Sequence, residues 1–137
     1  DVNFSGLIRL IGYDLDTGRA FPGGRVPVTL YWQTIQPVPA NYQVFTHLES
    51  EDTGLIAQAD GVPVCWTYPT DIWRPGQIIA DQHAITIPPE TSPRLYPIQI
   101  GFYLADTFER LEILDEAGNP AGTSFMLTEV EIKKLGD

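Results

Sequence analysis

Apolar and polar positions alternate along most of this chain, and no stretch shows a sustained 3.6-residue stripe, so the dominant predicted element is the β-strand. Leu7–Tyr13 reads as a first strand. Val26–Gln33 reads as a second, with Val26, Val28, Leu30 and Trp32 on one face. Tyr42–Leu48 is a third, and Glu51-Asp52-Thr53-Gly54 predicts a hairpin into a fourth at Leu55–Asp60, with glycine in the left-handed position. Ile78–Ile87 is a fifth, placing Ile79, Asp81, His83, Ile85 and Ile87 on one side. Tyr96–Leu104 and Arg110–Leu114 follow as the sixth and seventh. Phe125–Ile132 is the eighth, with Met126, Thr128, Val130 and Ile132 in one phase and Leu127, Glu129 and Glu131 in the other.

About eight short strands with regular turn signals predict an all-β fold, an antiparallel β-sandwich of jelly-roll or immunoglobulin-like type. The 137 residues suit a single domain spanning 1–137, large enough for one core. The last five residues, Lys133–Asp137, are expected to fray.

One long segment breaks the pattern. Gly61–Gly76 has no strand periodicity, carries Trp66, Tyr68 and Trp73, and is flanked by Asp60 and Asp81. Unpatterned segments of that length in a compact domain are functional or tightly packed. Sugars present apolar C–H faces that stack on aromatic rings, and acids accept their hydroxyl hydrogen bonds. Trp66, Tyr68, Asp71 and Trp73 are therefore the expected ligand-binding patch, with glycan as ligand. The competing reading folds Trp73 inward as a plug, with Asp60 and Asp81 capping the segment's backbone N–H groups.

Other chemistry finds less support. A formal net charge of −10 argues against a nucleic-acid partner and against docking on anionic lipid. Asp60, Asp71 and Asp81 are the best acids for a glycoside-hydrolase pair, a third and weaker reading. His47, His83 and Asp81 could meet at a metal, but no ligand motif supports one. The acid-rich loops offer calcium oxygen ligands without an EF-hand pattern, so no cofactor is expected. Cys65 is alone and, between Val64 and Trp66, reads as a buried thiol. The serines lack a nucleophile-elbow context. The chain opens at Asp1, as a mature form or an excised piece would.

A family pattern runs through these same elements. Pro22-Gly23-Gly24-Arg25-Val26-Pro27-Val28-Thr29-Leu30-Tyr31-Trp32 is followed by Tyr42-Gln43-Val44-Phe45-Thr46-His47-Leu48. Gly54, Gln58-Ala59-Asp60, Pro63, Thr70, Trp73, Pro75-Gly76 and Asp81 come next. Ile87-Pro88, Tyr96, Gly101-Phe102-Tyr103 and Arg110-Leu111 complete it. The chain resembles the extracytoplasmic β-sandwich domain at the C-terminal end of bacterial membrane glycosyltransferases of the protein-O-mannosyltransferase-like type, and its stand-alone relatives. It departs from that pattern at Arg94-Leu95, where a glycine often precedes the tyrosine of the sixth strand. The resemblance implies a non-catalytic accessory module outside the cytoplasm, partnered by the membrane part of a parent protein. It carries over no catalytic residue. A purely structural or protein-interaction domain is the alternative.

Overall fold

A computed structural model of the protein describes residues 1–135; part of the expected frayed tail, Gly136 and Asp137, lies outside the described residues. The fold is all-β, with two antiparallel sheets packed as a sandwich. The strands are β1 (Val2–Phe4), β2 (Ile8–Leu15), β3 (Arg25–Thr34), β4 (Gln43–Ser50), β5 (Gly54–Gln58), β6 (Ile78–Thr86), β7 (Arg94–Tyr103), β8 (Ile113–Leu114) and β9 (Phe125–Ile132). One sheet has the order β6-β3-β2-β1-β8 and the other β5-β4-β7-β9. The β4–β5 hairpin turns on Gly54 at φ 77°, a conformation that costs glycine nothing and other residues about 1 kcal/mol or more.

The core lies between the sheets. Trp32 and Phe4 from the first sheet meet Phe102 from the second in an aromatic trio. Phe4 stands edge-on to both, with ring centroids 5.7 Å from Trp32 and 5.3 Å from Phe102. Edge-to-face packing matches the positive rim of one ring to the negative face of another. The inward phase of β6 is as the alternation predicts: Ile79, Asp81, His83 and Ile85 are all buried, as is Ile87 just past the strand's end.

Three expectations need correction. A short strand, β1, precedes the first predicted one; three residues are too few to show a period. The predicted strand Arg110–Leu114 is reduced to Ile113–Leu114, and Arg110 makes only a bridge to Tyr103. The eighth strand does not keep one phase. Its register with β7 runs Ile98↔Thr128 and then Gln99↔Met126, leaving Leu127 as a bulge. The extra residue flips the faces, so Leu127 joins Val130 and Ile132 inside while Met126 is exposed.

Candidate ligand-binding cleft

The unpatterned segment is stitched to the sandwich from within. Pro63–Trp66 forms one turn in which Val64, Cys65 and Trp66 take φ of 57°, 52° and 68°. Three successive left-handed residues without a glycine are costly, the β-branched Val64 most of all. Asp81 holds this turn in place. Its Oδ1 accepts a 2.7 Å hydrogen bond from the Val64 N–H, and its Oδ2 accepts from Trp32 Nε1 at 3.1 Å. His83 Nε2 lies 2.7 Å from the same Oδ2, and His83 Nδ1 lies 3.0 Å from the Ala59 carbonyl oxygen. Both ring nitrogens of His83 thus face oxygen atoms. Further along, Thr70 Oγ1 accepts from the Tyr42 N–H and donates to the Ala40 carbonyl.

The four residues expected to form the binding patch do not present one surface. Trp73 is 3% exposed, lies in the core cluster, and donates its indole N–H to the Tyr68 carbonyl at 3.0 Å. The half-buried Tyr68 ring stacks on it at 6.3 Å. Trp66 is 62% exposed but lies across Gly61, where a β-carbon would come within 2.7 Å of the indole. Asp71 is exposed on the short 3-10 turn Thr70–Ile72. The inward arrangement of Trp73 is the plug weighed above: a large apolar ring whose one donor finds a nearby carbonyl gains more inside than in water. Of the two predicted caps, Asp81 bonds the segment's backbone and Asp60 turns elsewhere.

The other proposed groupings also come apart. Asp81 is sealed in the core, Asp71 sits on the surface turn, and Asp60 faces the outer side of the four-stranded sheet. His83 points inward, whereas His47 shares the outward phase of β4. Among the described residues, no group of three His, Cys, Asp or Glu side chains is placed to hold a metal ion. Cys65 is exposed rather than buried, because the left-handed turn swings it outward.

What the sheet does assemble is a cleft of about 360 Å³ on the outer face of β5-β4-β7, lined by Phe45, His47, Gln58, Asp60, Tyr103, Phe108 and Arg110. Its floor is Phe45, which is 1% exposed although it lies on the outward phase of β4. The ring occupies the space left open by Gly101 opposite it, where a β-carbon would sit 2.4 Å from ring carbons. The Arg110 guanidinium covers the ring at 4.3 Å, a cation–π contact. On one side His47 Nε2 lies 3.4 Å from Asp60 Oδ1, and His47 Nδ1 lies 3.6 Å from Glu49 Oε2. The first pair is misaligned, so both the nitrogen and the oxygen are buried without a hydrogen-bond partner. On the other side the Tyr103 hydroxyl lies 3.1 Å from Gln43 Oε1 and 3.2 Å from Asp60 Oδ2. Burial first, then the Asp60 charge and its hydrogen bond, push this phenol up to about 12.

Phe108 completes the cleft. Its ring is 73% exposed and stacks on Tyr103, with centroids 6.0 Å apart and planes 15° from parallel. Its backbone takes φ 60°. A bulky aromatic held left-handed with its ring in water is unfavourable twice over, and such strain concentrates at functional sites. In the sequence, His47 and Asp60 stand out only as members of other groups. Phe108 lacked any signal, since nothing in a linear pattern shows that a loop residue stacks on the end of β7.

No family model and no curated protein sequence matches the chain.

Proposed function

We propose that this chain is a non-catalytic carbohydrate-binding accessory module, with the cleft over Phe45 as its site. The sandwich is read as jelly-roll or immunoglobulin-like, and the resemblance to glycosyltransferase-associated domains supports an extracytoplasmic setting beside a membrane parent. The observation that carries the reading is the strained, exposed Phe108 ring stacked on Tyr103 beside the unpaired His47–Asp60 edge. A sugar C–H face fits the ring. A sugar hydroxyl both donates and accepts, the two capacities that this edge leaves unused. Separation of Asp60, Asp71 and Asp81 supports a binding role over hydrolysis. The structural or interaction reading is favoured by one observation, the burial of Trp73.

The test is a glycan array probed with the wild-type domain and Phe108→Ala. Saturable binding to a defined set of glycans, lost in a variant of unchanged fold, is expected. A blank array for the wild type overturns the reading in favour of an interaction domain.

A further inference from the structure

The cleft does not end at His47. A second hollow of about 630 Å³ continues on the same face and is lined in part by Glu49, Arg94, Pro97, Gln99, Met126 and Glu129. The two share a wall. His47 and Gln99 are direct partners in the β4–β7 register, one lining each hollow. Glu49 lines the second and approaches the His47 ring of the first. From Tyr103 back to Leu95 along β7, the combined groove runs about 25 Å at the usual rise per strand residue.

We propose that the ligand is a chain of several uncharged sugar units lying along β4 and β7, gripped in its interior rather than at one end. This rests on the carbohydrate reading above. Three observations argue for it. The groove crosses the middle of the sheet: β4 is paired on both sides by β5 and β7, and β7 by β4 and β9. An extended peptide laid there finds no free backbone N–H or C=O, so strand addition is ruled out, and the occupant brings its own hydrogen-bonding groups. Next, hydrogen-bonding and apolar side chains stand side by side across the path. His47 and Gln99 share a rung with Met126, and Glu49 lines the same hollow as Pro97, which suits a ligand whose every unit has hydroxyl edges and C–H faces. Finally, the second hollow carries Glu49, Glu51, Asp52 and Glu129 against Arg94 alone, and Arg94 is already bonded to Asp52 and Ser50. A uronate, sulfate or phosphate chain meets repulsion there.

Calorimetry with oligosaccharide ladders, from monosaccharide to hexasaccharide, tests this. The probes are cello-, chito- and α-manno-oligosaccharides, with oligogalacturonates as the anionic series. In at least one neutral ladder, affinity is expected to rise about tenfold or more between the shortest and longest members. The oligogalacturonates should not bind. Gln99→Ala combined with Met126→Ala should weaken the hexasaccharide and leave the shortest binding member unchanged. Binding that is flat with length overturns the chain proposal and leaves the carbohydrate reading standing. Preferential binding of the uronate ladder overturns the proposed ligand class. Binding of none of the ladders overturns the chain proposal outright, and a blank array then decides the broader reading.

Discussion

The Trp32 indole donates a hydrogen bond to the Asp81 carboxylate, 3.1 Å away and fully buried between the sheets. The bond joins β3 to β6 through side chains where the backbone ladder already pairs Leu30 with Asp81. The same carboxylate reaches the Val64 N–H, so one buried charge ties the aromatic core to the strained turn outside it. Removing it leaves Trp32 Nε1 and the Val64 N–H without their acceptor and His83 Nε2 without its partner. Asp81→Leu should therefore cost about 3–5 kcal/mol, the range for breaking a buried charged network from one side. Urea denaturation checks this; a loss below about 1 kcal/mol would show that the network is dispensable.

Trp73→Ala should be a stability variant, not a binding variant. The buried ring fills core volume, and truncating such a residue costs about 3–5 kcal/mol. Near-unchanged stability together with lost glycan binding would restore Trp73 to the site.

Phe108 should behave in the opposite way. Phe108→Gly releases a left-handed backbone and removes an exposed ring, so stability should rise by up to about 1 kcal/mol while glycan binding is lost. Denaturation and array binding, measured on the same preparation, separate the two effects. A destabilised variant would show that the ring is structural cover for Tyr103.

Cys65→Gly tests whether the left-handed turn is strained on its own account. The side chain is exposed and φ is 52°, so little packing is lost and stability should increase by about 1 kcal/mol. A decrease by thermal denaturation would mean that the thiol makes a contact of value.

Tyr103 gives the pH dependence. Its folded ionisation lies at about 12, above the value of about 10 for an unfolded tyrosine. Above pH 10 the unfolded chain releases a proton that the folded chain retains. The contribution to stability is therefore intact below about pH 10 and is lost as pH rises toward about 12. Asp60→Asn removes the charge but not the burial, so the ultraviolet titration of Tyr103 should move down only part of the way. An unchanged midpoint would mean that Asp60 does not face the phenol.

Elements whose period survives burial on one face are legible in the sequence. The alternation in β3, β4, β6 and β7 follows from side chains pointing alternately into the core and away from it, and the Gly54 hairpin follows from its left-handed φ. It also placed Asp81 on the inward phase of β6, although no linear pattern shows that a carboxylate there meets Trp32, His83 and Val64. Tertiary structure alone decided the rest. The phase of β9 depends on a bulge opposite Ile98 and Gln99, a property of two strands together. The direction of Trp73 depends on a carbonyl within reach of its indole once the chain has turned. The cleft draws His47 from β4, Asp60 from beyond β5, Tyr103 from β7 and Phe108 from a loop. Only the order β5-β4-β7 brings them together, because neighbours across a sheet are set by strand pairing, not by distance along the chain.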